Sequence, residues 1–156
     1  MIVLLGFIGF LFLVGLYVWS ALVTMNMLKG MNYKYYWFAF IPFLNVYAMA
    51  DAVPVSNDGK VYITRTIGVS KDLFRLWWLL SLGLGFIPFI GSIASLVVSV
   101  ICLYRIYTFL FAIYDYKSES DEVLMAILSI FIPFVYQIKG SMYFGKVPQY
   151  QYTNNI

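Results

Sequence analysis

Phe40-Ile41-Pro42-Phe43 recurs letter for letter as Phe86-Ile87-Pro88-Phe89 and as Phe131-Ile132-Pro133-Phe134. Each copy lies inside a strongly apolar run. A proline there removes a backbone donor and clashes with the preceding turn, so it breaks or bends a helix. A chain that sets the same breaker into three lipophilic segments specifies helix breaks at Pro42, Pro88 and Pro133 within membrane-embedded helices.

Composition supports a bilayer as the solvent. The chain is 63% hydrophobic and 11% charged, with mean hydropathy +0.85. Soluble domains carry about 25% charged residues, so lipid must replace water over most of this surface. One integral membrane domain over residues 1–156 is the natural organisation. The dense aromatic content, 21%, suits segments at headgroup level. A net charge of +3 fits attraction to anionic lipid, and nothing points to nucleic acid. Histidine is absent and Cys102 is the single cysteine, which excludes an intrachain disulfide and argues against Cys/His metal sites. No cofactor is implied, and Cys102 reads as a small core hydrophobe.

Apolar segments fall at about 2–28, 35–51, 73–86, 91–115 and 122–138, with a polar loop over 52–72 and a tail over 139–156. The uncharged run from Ile2 to Val23 suffices for the about 20 residues that cross a bilayer. No basic residue precedes it and no convincing cleavage site follows, so it reads as a retained anchor rather than a signal peptide. Gly6, Gly9 and Ser20 share a face on which another helix can approach. The run from Tyr35 to Ala50 barely spans and holds Pro42 and Asn45, so it is either a short kinked crossing or a re-entrant segment. Asn57-Asp58-Gly59 is a turn signal between Val53-Pro54-Val55 and Val61-Tyr62-Ile63-Thr64, predicting a small β-hairpin. Ser70 is placed to cap a helix starting at Lys71. Leu76 to Tyr104 is too long for one straight crossing and is interrupted by Gly83, Gly85, Pro88 and Gly91, which predicts a helical hairpin turning near Gly85 to Gly91. The fold class is therefore an all-α integral membrane protein of four or five transmembrane or re-entrant helices. Segment length favours five crossings. The positive-inside rule, under which Lys and Arg divide nearly evenly for five crossings but favour one side if the middle run crosses once, prefers four with cytoplasmic termini.

Arg105 is the most informative single residue, because an ionised group at membrane depth costs about 2.5–3.5 kcal/mol on insertion scales. Asp51 and Asp115 are its candidate partners. Its functional use would be contact with an ion or ligand; its commoner structural use would be to snorkel to headgroup phosphates. Asn45 follows Pro42 by three residues and can stabilise the helix break or line a polar path. Ser92, Ser95 and Ser99 read as close-packing residues. Glu119, Asp121 and Glu122 read as a solvated charged connector rather than a divalent-ion cluster. There is no histidine for a triad, no paired base beside a hydroxyl and no phosphate-cradling loop, so no catalytic set is assigned.

The stretch Tyr36-Trp37-Phe38-Ala39-Phe40-Ile41-Pro42-Phe43-Leu44-Asn45-Val46-Tyr47 resembles a pattern found in an uncharacterised family of small multi-pass bacterial membrane proteins. Leu103-Tyr104-Arg105-Ile106-Tyr107, with the acidic connector and final apolar run after it, is similar to the same proteins. The resemblance covers most of the chain from about Leu16 onward. It implies architecture and a bacterial cytoplasmic membrane, and it carries no catalytic residues. The expected role is that of a non-enzymatic small subunit, scaffold or immunity-type factor, with lipid and other membrane subunits or further copies of itself as partners. The alternative is a small transporter or channel subunit that uses its broken helices and Arg105.

Overall fold

The computed structural model describes residues 2–63, 66–115 and 119–150. It is mostly helical with one small antiparallel hairpin. Helix α1 is Ile2–Gly30, a 3-10 helix covers Tyr36–Phe40, and α2 is Leu44–Ala52. Strands β1 (Lys60–Tyr62) and β2 (Gly68–Ser70) precede α3 (Lys71–Arg75), α4 (Trp77–Gly85) and α5 (Ile90–Tyr114). Helices α6 (Glu119–Phe131) and α7 (Pro133–Ser141) complete the order. Among the described residues, α1 and α5 are the helices long and apolar enough to cross a membrane. The expectation of four or five crossing segments is not met by helix length. The other proline-bearing runs are split into pieces of 5 to 13 residues that double back.

Each Phe-Ile-Pro-Phe copy sits at one of these reversals. In the first, the 3-10 helix descends beside α1, where Tyr17 Oη donates to the Phe40 carbonyl at 2.9 Å. The chain turns at Pro42 and returns as α2, so that Tyr33, just past the end of α1, donates to Asp51 Oδ2 at 2.7 Å. The sequence left a kinked crossing and a re-entrant segment open; the chain doubles back at Pro42 instead of continuing straight. In the next copy, α4 and α5 lie antiparallel around Pro88, with Ser81 Oγ 2.7 Å from Ser95 Oγ and 2.8 Å from Ser99 Oγ. Gly91 is required there, since a Cβ would run into the Leu84 carbonyl and the Ile87 side chain. The close-packing role expected for Ser95 and Ser99 is met, while Ser92 faces outward. In the third copy, α6 ends at Phe131 and α7 carries the chain back until Lys139 meets Asp115 at 2.7 Å.

The first two turns share one backbone solution. Phe43 has φ 68 and Phe89 has φ 56, and in each the residue after that phenylalanine donates to the proline carbonyl, Leu44 to Pro42 at 2.9 Å and Ile90 to Pro88 at 2.8 Å. These are γ-turns of the strained positive-φ kind. The third copy differs: Pro133 opens α7 at its first turn, where its missing N–H costs nothing, and Ile132 is extended. All three tips are exposed and apolar, most of all Phe86 and Phe89, 88% and 86% accessible.

The core lies at the opposite end. It is built from the C-terminal part of α1 (Val23, Met27, Leu28, Met31), from α2, and from the C-terminal half of α5 (Ile106, Leu110, Phe111, Tyr114), with Tyr136 and Tyr143. Tyr107 stacks on Tyr136 at 4.9 Å and Tyr114 on Tyr143 at 5.2 Å. Tyr114 Oη donates to the Met27 carbonyl at 2.6 Å, so α1 and α5 bring their C-terminal ends together. From Leu4 to Val18, α1 is almost wholly exposed.

The β-hairpin corrects another expectation. Asn57-Asp58-Gly59 does turn, with Gly59 at φ 74 and Ser56 N donating to the Lys60 carbonyl at 2.8 Å. Val53-Pro54-Val55 is not a strand, however; β1 pairs with β2, Val61 opposite Val69. Pro54 has no N–H to give a ladder. Ser70 does stand at the N-cap of α3, but its side chain makes no capping bond.

Positive φ at a phenylalanine costs of order 1–3 kcal/mol. Phe89→Gly relieves that strain and loses no ring packing, so it is expected to raise stability in detergent by about 1 kcal/mol. Phe43→Gly also loses the stack on Trp78 (5.3 Å) and is expected to bring no net gain. Thermal unfolding of both variants against the parent checks the contrast.

Candidate functional site

The proline hairpins position three groups of polar side chains at the core end. The first centres on Asp51, 6% accessible. It accepts from Tyr33 Oη and, at 2.6 Å, from Arg75 Nε, and it lies 3.8 Å from Lys71 Nζ. Lys71 also donates to the Asp51 and Val53 carbonyls. Burial pushes the Lys71 ammonium down to about 8, against the pull of Asp51 upward. The second group is Asp115, held by Lys139 at 2.7 Å and by Tyr143 Oη at 3.4 Å. Asp51 and Asp115 are thus both committed, and neither pairs with Arg105 as the sequence had suggested. Their real partners lie 24 residues away in sequence in each case, on elements whose approach depends on the turns.

Arg105 belongs to the third group. It lines a pocket of about 250 Å³ with Pro54, Val55, Ser56, Lys60 and Tyr62. Its level is that of the β-hairpin, not of the lipophilic tips. Among the described residues, no carboxylate lines this pocket. The nearest acid on the hairpin, Asp58, is occupied by the Tyr62 hydroxyl at 2.7 Å and the Lys60 amide at 3.3 Å, and the Tyr62 bond holds its carboxyl below the usual range. Arg105 Nε is buried with no acceptor among the described residues. A larger apolar cavity of about 510 Å³ has walls that include Ile63, Phe74, Trp77, Cys102 and Tyr104, of which Ile63 and Tyr104 are chain neighbours of the pocket residues Tyr62 and Arg105. Cys102 is buried there, as expected of a small hydrophobe.

Asn45 sits in the first turn of α2, where its backbone N donates to the Ile41 carbonyl at 2.9 Å across Pro42. Its Oδ1 is buried without a partner among the described residues. The acidic connector straddles undescribed positions; Asp121 is exposed and Glu122 buried, both early in α6, where carboxylates suit the helix dipole. Sequence reasoning missed Lys60 and Tyr62 as companions of Arg105. Their alternation on a strand was visible, but the β2 pairing that holds them over α5 was not. No protein-family model matches the chain, and no curated protein or solved structure matches it.

Removing one member of a buried ion pair leaves an uncompensated charge. Asp51→Asn strands Lys71 and Arg75 and is expected to cost about 3 kcal/mol, whereas Asp58→Asn on the exposed hairpin should stay within about 0.5 kcal/mol. Chemical denaturation of the two variants checks this. The pH dependence has a definite sign. A lysine whose folded value is depressed binds its proton less tightly when folded, so stability rises as pH climbs from about 8 toward the ordinary lysine range. Lys71→Met should flatten that rise in melting curves taken across the window.

Proposed function

We propose that this chain is a non-enzymatic membrane protein of a bacterial cytoplasmic membrane, acting as a small subunit, scaffold or immunity-type factor of a larger assembly. In this reading α1 crosses the bilayer, and the three proline hairpins enter from the side on which α1 ends and turn back within lipid. Several observations support that placement. Lys29, Lys34, Lys60, Lys71, Arg75, Arg105, Lys139 and Lys146 all lie with the core end, linked through the Tyr33–Asp51, Met27–Tyr114 and Asp115–Lys139 contacts. Helix α4, at 9 residues, reaches about 13.5 Å, less than half of a ~30 Å hydrocarbon core. The positive-inside rule then makes the core end cytoplasmic.

The observation that carries the assembly role is the free half of α1. From Leu4 to Val18 it presents large apolar side chains all round, and among the described residues nothing outside the helix's own backbone comes within 4 Å of where a Cβ would stand on Gly6, Gly9 or Gly15. Small residues on a lipid-immersed helix let a second helix approach closely. The transport alternative draws less support, because Arg105 opens onto loop residues instead of a path between helices.

A photo-crosslinking residue at position 9 or 13 is expected to give discrete protein adducts in native membranes, and one at position 79 mainly lipid adducts. Lipid adducts alone at positions 9 and 13 would contradict the assembly role.

A further inference from the structure

We propose that the Arg105–Lys60 pocket holds the phosphate of an anionic phospholipid, with one acyl chain in the adjoining apolar cavity. The proposal rests on the membrane placement above and adds a ligand to it. The polar pocket offers one guanidinium, one ammonium and the Ser56 hydroxyl, and among the described residues no carboxylate lines it; the Tyr62 hydroxyl on its wall is given to Asp58. Neither Arg105 nor Lys60 forms an ion pair among the described residues, although Asp51, Asp72 and Asp115 each take a cation elsewhere. A guanidinium is the natural partner of a phosphate, which it binds through its planar fork.

The second part of the ligand follows from chain adjacency. Tyr62 and Arg105 line the polar pocket, and their immediate neighbours Ile63 and Tyr104 line the apolar cavity. The lipid would bridge the cationic mouth and the lipophilic slot, which has Leu80, Val98 and Ile101 on its walls. Trp77, on the same wall, keeps its indole Nε1 buried with no acceptor among the described residues, and a glycerol ester carbonyl is an acceptor of the right kind. A free phosphate would satisfy the mouth and leave the slot without purpose, so a lipid is the occupant that uses both.

The full chain in nonionic detergent is to be titrated with phosphatidylglycerol, with phosphatidylcholine of the same acyl chains, or with inorganic phosphate, reading retained lipid by native mass spectrometry and the shift in melting temperature. Phosphatidylglycerol should be retained several-fold more tightly than phosphatidylcholine, and phosphate should shift nothing. Arg105→Gln and Lys60→Gln should each weaken phosphatidylglycerol about fivefold, on the scale of one surface charge against anionic lipid. Arg105→Lys should retain part of the preference and guards against a folding artefact. Equal retention of the two lipids, an unchanged preference in the Arg105→Gln/Lys60→Gln double variant, or an equal response to inorganic phosphate would overturn the proposal. Alkaline extraction of membranes reports separately on membrane placement: release of the parent chain would sink that reading, whereas loss of lipid preference alone leaves it standing.

Discussion

A chain that reverses direction among apolar side chains must close its own backbone hydrogen bonds, because lipid supplies no partner and each orphaned group costs several kcal/mol. The rest of the structure depends on how the three Phe-Ile-Pro-Phe segments meet this constraint. Proline removes one N–H from the account and fixes one dihedral. In the first two segments the following phenylalanine takes a positive φ and the next N–H folds back onto the proline carbonyl, whereas in the third Pro133 opens α7. Bonds such as Ile41 to Phe38 and Ile87 to Leu84 close the approach on the other side. The result is a compact apolar tip that needs little from water.

Tips alone do not hold the hairpins together; their open ends are tied by charge. Asp51 binds the return of the first hairpin to Tyr33 and to the start of the second through Arg75 and Lys71. Asp115 binds the end of α5 to the return of the third through Lys139. Between these nodes the aromatic stacks of Tyr107, Tyr114, Tyr136 and Tyr143 fill the core. Breaking a node therefore separates elements that the turns only bring near. Arg105 is the exception, a cation on α5 that faces a pocket instead of a carboxylate.

Much of this was legible before any coordinates. The repeated tetrapeptide announced its breaks, the glycine-rich stretch announced the α4–α5 turn, and Asn57-Asp58-Gly59 announced its own. What stayed hidden was the sense of the first and third breaks. A proline in an apolar run reads equally as a kink within a crossing or as the apex of a hairpin. For the first and third copies the Tyr33–Asp51 and Asp115–Lys139 bonds, between residues 18 and 24 apart in sequence, distinguish the two. The same blindness led to Arg105 being paired with the wrong acids and Val61 with the wrong strand. Counting charges on alternating sides presumed that every apolar run crosses. Once the runs double back, the basic residues among the described ones gather at the core end.

The central claim is that the segments between the proline tips share one side of the membrane. Single cysteines placed at Lys34, Asp58 and Lys146 in a Cys102→Ala background test it most directly, labelled from outside intact cells and again after permeabilisation with a reagent that does not cross the bilayer. The account predicts that all three react only after permeabilisation. Labelling of position 58 from the opposite side to position 34 or 146 would contradict it.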